Sequence, residues 1–230
     1  MHKLICFDFD DVIVNNKFVF KIPIIGHKLK TFELGAQYLE GNLDPKSFNR
    51  FMGEVLKQLQ GVHIDTVMRL LLHMRLQKGT RELLKRLRED GYKIVIVSTN
   101  EETFIRRFLE KHSLMQYISH IYAAKFGLKN GLMTGKIYGD VIKTEKTGII
   151  GVLEKKYKIR RGDITYIGDG LTDLPIMKKV GKGILFNPNA LTKMEIYSDK
   201  ILKKKENSGR LFLAEGKDLR CVMDFIPSRE

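Results

Sequence analysis

Six side chains, spread along the chain, have the types and the order that phosphoryl chemistry requires. They are Asp8 and Asp10 in DFDDV at 8–12, Ser98, Lys146, and Asp169 and Asp173 in GDGLTD at 168–173. One carboxylate can attack phosphorus, a second can move a proton and others can hold a metal, while a hydroxyl and an ammonium neutralise the remaining phosphate oxygens. This set predicts a magnesium-dependent transfer of a phosphoryl group to an aspartate.

Three of these groups lie at the ends of apolar segments that have the pattern of buried strands. KLICF at 3–7 runs into Asp8, YKIVIVS ends at Ser98, and DITYIGD ends at Asp169. Short continuous apolar runs are typical of parallel strands that are covered on both faces. Ligands of such sheets bind outside the carboxyl ends of the strands, so we expect these distant segments to meet at one crevice.

From Gly79 onward the chain alternates helical and strand patterns. The predicted helices are TRELLKRLRED, EETFIRRFLEKH, KTGIIGVLEKKY and LPIMKKV; the further predicted strands are HIYAAKF, a hairpin around Asn130-Gly131, KGILF and, at the edge, RLFLAE, before a short helix in DLRCVMDFI. The alternation predicts an α/β fold, a Rossmann-like parallel sheet with helices on both faces.

Residues 15–78 have a different pattern and are predicted to form a small inserted helical cap. After FVFKIPII they show helical patterns at roughly 28–40, 46–60 and 63–77, with breaks at Asp44-Pro45 and Gly61. The predicted catalytic core is therefore 1–14 together with 79–230.

The bulk composition is that of an ordinary soluble globular protein, with 230 residues of which 43% are hydrophobic and 30% charged. No apolar run has the length of a membrane span, and the first residues lack the pattern of a secretion signal. Cys6 lies in an apolar strand pattern and is expected to be a core residue rather than half of a disulfide with Cys221. Two cysteines without a partner motif fit a cytoplasmic location.

The chain is strongly basic, with 41 Lys and Arg against 27 Asp and Glu, a formal net charge of +14. The basic residues are spread through helices such as LEKKYKIRR, where they are expected to form solvated faces rather than a nucleic-acid site. A general positive field of this kind favours the arrival of a small anionic phosphoester. Composition alone indicates no oligomeric state.

With these motifs the sequence resembles the haloacid dehalogenase superfamily, in the branch typified by phosphoserine phosphatase. The resemblance covers nearly the whole chain, including the four motifs, the helical cap and the stretch from Ile164 onward. It implies that Asp8 is the nucleophile and Asp10 the general acid–base, whose backbone carbonyl is a metal ligand in relatives. It also implies that Asp8, Asp10, Asp169 and Asp173 form a Mg²⁺ site, with Asp173 in a supporting position.

The same resemblance assigns the phosphate-binding groups. Ser98 matches the hydroxyl that binds a phosphate oxygen, and the backbone N–H groups of Thr99 and Asn100 are predicted to join the phosphate cradle at the start of the next helix. Lys146 matches the motif lysine, which offsets charge between the nucleophile and the phosphate. Lys143 is the competing candidate for that position.

The sequence departs from the family pattern at the positions that select the substrate. Lys17 lies where relatives have the Glu that binds the substrate amine, and Val55 lies where they have a carboxylate-binding Arg, although Arg50 and Lys57 are near. A lysine at position 17 favours a substrate with extra negative charge; a solvated surface lysine is the alternative. Smaller departures are Asp11 for Gly or Ser, Val12 for Thr, and Thr172 for Asn.

The sequence therefore predicts a phosphomonoesterase that hydrolyses a small, anionic phosphorylated metabolite through an aspartyl-phosphate. Three alternatives remain open: phosphoserine phosphatase proper, phosphoryl transfer to an acceptor other than water, and a non-catalytic binding protein on this fold. Dehalogenase chemistry is disfavoured because the second Asp and the metal set belong to the phosphate-handling branch.

Overall fold

A seven-stranded sheet forms the centre of the computed structural model, which describes residues 4–15 and 44–226. The described strands are β1 (Leu4–Phe7), β2 (Val14–Asn15), β3 (Arg75–Leu76), β4 (Lys93–Glu101), β5 (His120–Lys129), β6 (Leu132–Tyr138), β7 (Ile164–Gly168), β8 (Lys182–Phe186) and β9 (Leu211–Ala214). The sheet order is β6-β5-β4-β1-β7-β8-β9, and all pairs are parallel except β5 with β6. The predicted Rossmann-like α/β fold is therefore confirmed.

Helices cover both faces of this sheet. They are α1 (Pro45–Gln58), α2 (Ile64–Leu71), α3 (Thr80–Glu89), α4 (Glu102–Lys111), α5 (Asp140–Lys143), α6 (Ile149–Tyr157), α7 (Leu174–Lys179), α8 (Ala190–Ser198) and α9 (Lys200–Asn207), with 3₁₀ turns at Met115–Tyr117, Arg161–Asp163, Leu171–Asp173 and Leu219–Phe225. None of the helices in the described ranges is long and apolar enough to cross a membrane.

The continuous apolar character of β1 follows from its central position. Ile5 and Phe7 point into one hydrophobic cluster, and Leu4 and Cys6 point into a second cluster on the opposite face. Successive side chains of a strand alternate between faces, so a strand with cores on both sides has no polar face. Cys6 is fully buried and unpaired, as expected of a core residue.

The hairpin predicted around Asn130-Gly131 joins β5 to β6. Asn130 has φ +52° and Gly131 has φ +77°, which is the pair of left-handed residues that a two-residue hairpin turn requires. The tip of this hairpin contacts the region next to α2, where Ile64 N–H donates to the Gly131 carbonyl at 2.9 Å. The core hairpin and the helical region are thus joined by backbone hydrogen bonds.

Residues 14–15 and 75–76 lie side by side, because β2 pairs antiparallel with β3. The division into a core and a cap at 15–78 remains a prediction, and the helix predicted at 28–40 lies outside the described residues. The prediction of a helix over 63–77 was too long: α2 ends at Leu71, and pairing with β2 makes a strand of residues 75–76. α8 and α9 were not predicted.

Candidate active site

Asp8 lies directly after β1, the central strand, whose neighbours are β4 and β7. The residue is 5% exposed, and both of its carboxylate oxygens are held: Oδ1 accepts the Phe9 N–H at 2.7 Å and Oδ2 accepts Lys146 Nζ at 2.8 Å. Burial raises the pKa of Asp8 to about 7, although the Lys146 ammonium acts in the opposite direction. The carboxylate therefore has a fixed orientation and is largely shielded from bulk solvent.

A tight turn after β1 brings Asp10 to the same site. The Ile13 N–H donates to the Phe9 carbonyl at 2.9 Å, and Asp11 has φ +53°, in the left-handed region. Asp adopts this conformation more readily than bulky residues, so Asp11 is compatible with the turn. Two carboxylates that are two residues apart can both face one crevice because the strand ends between them.

Asn100, at the end of β4, orients Asp10. Its Nδ2 lies 3.0 Å from Oδ1 and 3.2 Å from Oδ2 of Asp10, and its own Oδ1 accepts the Glu101 N–H at 2.7 Å. Burial, followed by the charges of Asp8 and Asp11, raises the pKa of Asp10 to about 8. The amide of Asn100 is thus fixed at one end by the backbone and holds the carboxylate at the other.

Lys146 enters the site from the turn between α5 and α6. Glu145 and Lys146 have φ +50° and +64°, and this left-handed pair directs the Lys146 side chain inward, where it is 1% exposed. Burial disfavours the ammonium, but the charges of Asp173 and Asp8 outweigh it and hold the pKa of Lys146 above its usual range. Lys143, the competing candidate, is exposed.

Asp173 is fully buried, and all of its acceptor positions are directed at protein donors. Oδ1 accepts Lys146 Nζ at 2.6 Å and the Tyr166 hydroxyl at 2.8 Å, and Oδ2 accepts the backbone N–H groups of Asp169 at 2.9 Å and Gly170 at 3.3 Å. Burial acts to raise the pKa of Asp173, but the Lys146 ammonium and these donors lower it below its usual value. Asp173 therefore fastens the loop that carries Asp169.

Three carboxylates lie close together at this site, and two of them, Asp8 and Asp169, have acceptor positions left for a divalent cation. One oxygen each of Asp8, Asp169 and Asp173 lie within 4.8 Å of one another. Burial, together with the charges of Asp173, Asp11 and Asp8, raises the pKa of Asp169 well above its usual value. Among the described residues the Asp169 carboxylate has no protein donor, which leaves its oxygens available to a metal. A hard cation such as Mg²⁺ prefers oxygen ligands of this kind.

The predicted phosphate-binding residues lie near the C-terminal end of β4. Ser98 is fully buried, and its Oγ accepts the Asn100 N–H at 3.0 Å, so its own hydroxyl proton remains available for an acceptor. β4 continues to Glu101 and α4 begins only at Glu102. The N–H groups of Thr99 and Asn100 therefore belong to the strand end rather than to the helix start, and that of Asn100 is already used.

Sequence reasoning missed two contributions to this site. The first is the side chain of Asn100, which holds Asp10, whereas the sequence predicts a role only for the backbone N–H of this residue. The second is Tyr166, which is fully buried in β7; burial, followed by the charge of Asp173, raises the pKa of its phenol well above the usual value. The sequence pattern could have indicated Tyr166, because side chains alternate along a strand. Tyr166 and Gly168 therefore lie on the same face of β7, directly before the loop that carries Asp169.

The described structure gives no site contact for the residues proposed to select the substrate. Lys17 lies outside the described residues. Val55 is buried in the core, Arg50 is exposed, and Lys57 pairs with Glu54 at 3.1 Å on the surface of α1.

The model of the haloacid dehalogenase-like hydrolase family matches residues 5–178 of the chain. The chain therefore belongs to this family, as the motifs predicted.

Two curated relatives support the phosphatase class. The phosphoserine phosphatase of Methanocaldococcus jannaschii is 27% identical over 226 residues, 97% of this chain and 97% of the relative. That of Archaeoglobus fulgidus is 26% identical over 195 residues, which cover 83% of this chain but only 54% of the relative. Together with the family match, these relatives confirm a phosphatase-type hydrolase.

Solved structures agree with the fold over the full length. A substrate-bound phosphoserine phosphatase complex superposes with a TM-score of 0.76 at 24% identity and covers 99% of both chains. A phospho-aspartyl intermediate analogue of phosphoserine phosphatase superposes with a TM-score of 0.75 at 26% identity, over 98% of this chain and 99% of the other.

Proposed function

We propose that this chain is a magnesium-dependent phosphomonoesterase that hydrolyses a small phosphorylated substrate through an aspartyl-phosphate on Asp8. The observation that carries the proposal is that Asp8 contacts the Lys146 ammonium and also belongs to the carboxylate cluster with Asp169 and Asp173. Both oxygens of Asp8 are oriented by donors, and Asp10 is oriented separately by Asn100. A nucleophile and a proton-transfer group are thus held at one crevice by different partners.

The proposed reaction has two steps that balance without any other reactant than water. In the first, an oxygen of Asp8 forms a bond to phosphorus while the ester P–O bond breaks, and Asp10 gives its proton to the leaving alkoxide. In the second, a water oxygen bonds to phosphorus, the proton of that water passes to Asp10, and the bond between phosphorus and Asp8 breaks. Free phosphate leaves and both carboxyl groups return to their initial states.

Four further residues support these steps. The Ser98 hydroxyl has a proton to donate to a phosphate oxygen, and the Lys146 ammonium offsets negative charge next to Asp8. Asp8 and Asp169 would hold Mg²⁺, and Asp173 would fix the Asp169 loop from below. The bound cation supplies charge neutralisation that makes phosphorus easier to attack.

The relatives named above direct the choice of substrate to phosphoserine, whereas Lys17 favours an ester with extra negative charge. We take phosphoserine as the first substrate and multiply anionic sugar or acid phosphates as the competing class. Lys17→Glu separates the two, because it restores the charge that attracts an α-ammonium group. The variant is expected to raise kcat/KM for phosphoserine relative to the acid phosphates.

The experiment is phosphate release from a panel of both classes, with magnesium and with EDTA, by the wild type and by Asp8→Asn. We expect magnesium-dependent release that is lost in Asp8→Asn, together with a phosphorylated Asp8 peptide in acid-quenched wild-type protein. A phosphorylated Asp8 without phosphate release would instead indicate transfer to another acceptor. A folded wild type that neither releases phosphate nor becomes phosphorylated on any ester would refute the proposal.

A further inference from the structure

We propose that Tyr166 is a positioning residue for Lys146: its hydroxyl, together with Asp173, holds the ammonium against the nucleophile Asp8. This inference rests on the proposed function for its kinetic consequences and on the hydrogen-bond geometry for its structural ones.

Tyr166 contacts the site from the interior of the protein, where a substrate cannot reach it. It is the largest fully buried side chain among the described residues, and its hydroxyl lies 2.8 Å from Asp173 Oδ1 and 3.2 Å from Lys146 Nζ. The Lys146 Nζ also lies 5.9 Å from the centroid of the Tyr166 ring. Any effect of this residue on a reaction must therefore act through Lys146 and Asp173.

The direction of each hydrogen bond follows from the groups present. A phenol has one proton, and the hydroxyl is near two acceptors, Asp173 Oδ1 at 2.8 Å and the Val97 carbonyl at 3.4 Å. The closer acceptor is a carboxylate, and charge-assisted hydrogen bonds are shorter and stronger than neutral ones. The Tyr166 hydroxyl therefore donates its hydrogen bond to Asp173. Its oxygen then accepts a hydrogen bond from the Lys146 ammonium.

This assignment gives the ammonium a complete set of acceptors. An ammonium has three donors, and those of Lys146 are directed at Asp8 Oδ2, Asp173 Oδ1 and the Tyr166 oxygen at 2.8, 2.6 and 3.2 Å. With two acceptors alone, one donor of this buried ammonium would have no partner and the head group would be held less firmly. The third acceptor completes the set and helps to hold Nζ next to Asp8.

The strand pattern of the sequence places Tyr166 here. Tyr166 and Gly168 lie on the same face of β7, two residues apart, and Asp173 packs over that face. Gly168 leaves room for the carboxylate, since a Cβ there would lie 2.3 Å from Asp173 Oδ2. The register partner of Tyr166 on β1 is the small Cys6, and the hydroxyl reaches to the carbonyl of Val97 on the next strand, β4.

The test compares Tyr166→Phe with Tyr157→Phe. Tyr157 is a matched control because its hydroxyl is buried and has no hydrogen-bond partner among the described residues. For Tyr166→Phe we expect kcat to fall about tenfold, equivalent to about 1.4 kcal/mol, with KM changed by less than about twofold. Tyr157→Phe should change neither constant.

A second readout uses the metal-free protein and does not depend on activity. The ¹⁵N-ammonium signal of Lys146, identified by its loss in Lys146→Arg, should exchange its protons with water far more slowly than that of the exposed Lys85. Exchange should accelerate at least about tenfold in Tyr166→Phe and remain unchanged in Tyr157→Phe, as expected for the loss of one of three acceptors.

The outcomes are distinguishable. If Tyr166→Phe retains both kcat and slow ammonium exchange, the inference is wrong, whatever happens to the melting temperature. If Lys146 of the wild type exchanges as fast as Lys85, it is wrong without recourse to any variant. If the wild type hydrolyses no ester, the proposed function fails, and the exchange measurement alone decides whether Tyr166 holds Lys146.

Discussion

The Lys146 ammonium lies 2.6 Å from Oδ1 of Asp173, and both side chains are almost completely buried. The same ammonium lies 2.8 Å from Asp8 Oδ2, so one cation bridges two buried carboxylates that come from different ends of the chain. A buried charge is costly unless it is paired and fully hydrogen-bonded. The bridge is therefore both a structural tie between β1, the α5–α6 turn and the Asp169 loop, and the electrostatic setting of Asp8.

Replacement of the bridging cation should damage stability and activity together. Lys146→Met leaves Asp8 and Asp173 buried without their cation, and breaking a buried pair in this way costs about 3–5 kcal/mol. We expect this loss in urea unfolding, with a decrease in kcat on the order of 10²-fold or more. The exposed Lys143→Met is the control, and a comparable loss in that variant would contradict the assignment of Lys146.

Gly168 is required because no side chain fits between β7 and Asp173. A Cβ in Gly168→Ala would lie 2.3 Å from Asp173 Oδ2, so the carboxylate must move and release the N–H groups of Asp169 and Gly170. We expect a destabilisation of about 1–3 kcal/mol and a loss of activity.

The control for Gly168 is a glycine with free space. Gly151→Ala, in the exposed part of α6, has nothing within 4 Å of the new Cβ. A helix interior favours Ala over Gly, so this variant should gain about 0.5–1 kcal/mol in the free energy of unfolding. Similar unfolding curves for the two alanine variants would show that Asp173 does not depend on close approach to Gly168.

The sequence predicted the elements that have a strong local pattern. β1 and β7 are apolar runs that lead directly into the candidate catalytic residues Asp8 and Asp169. The Asn130-Gly131 pair is typical of a hairpin turn. The existence and position of these elements therefore followed from the residues alone. The joining of Asp8 with Lys146 was expected from the resemblance and the strand ends, and the structure brings the two side chains to 2.8 Å.

What the sequence did not predict depends on tertiary contacts. Residues 75–76 have a helical pattern, but pairing with β2 makes them a strand, since non-local backbone hydrogen bonds override local propensity. The part played by Tyr166 depends on its reach across β1 to Lys146. No spacing rule connects positions 146 and 166, which meet only when β7 and the α5–α6 turn are in place.

Asn100 should control the orientation of Asp10. In Asn100→Ala, Asp10 loses the amide that lies 3.0 and 3.2 Å from its two oxygens, and the Glu101 N–H loses its acceptor. A misplaced catalytic group lowers the rate, so we expect kcat to fall on the order of 10-fold to 10²-fold. The unpaired N–H should lower the free energy of unfolding by about 1–3 kcal/mol. Asn207→Ala, at the exposed end of α9, is the control. Equal activities in both variants would show that Asn100 does not orient Asp10 for the reaction.

Magnesium should stabilise the folded protein, and Asp169 should be needed for this effect. A ligand that binds only the folded state adds about 2.7 kcal/mol at one hundred times its Kd, which appears as a rise in Tm. We expect this rise in the wild type, its reversal by EDTA, and its loss in Asp169→Asn. The exposed Asp224→Asn should retain it, and a Tm of Asp169→Asn that still rises with magnesium would exclude Asp169 as a ligand.

The same substitution by Met at Lys205 should not lower the free energy of unfolding, in contrast to Lys146→Met. Its ammonium is buried and donates to the Val180 carbonyl, and burial lowers the pKa of Lys205 below its usual 10.5. At neutral pH the folded state therefore holds a charged group that is better solvated in the unfolded chain. Lys205→Met removes that charge and should leave the free energy of unfolding unchanged or raise it by about 1 kcal/mol.

The pH dependence of this difference has a defined direction. Between the lowered folded-state pKa of Lys205 and 10.5 the unfolded wild type binds more protons than the folded one, so the stability of the wild type rises with pH in that window. Any advantage of Lys205→Met should thus be largest near pH 7 and shrink as the pH approaches 10.5. Urea unfolding of both proteins at several pH values measures it. A loss of several kcal/mol in Lys205→Met near pH 7 would mean that the Val180 carbonyl fully compensates the buried ammonium.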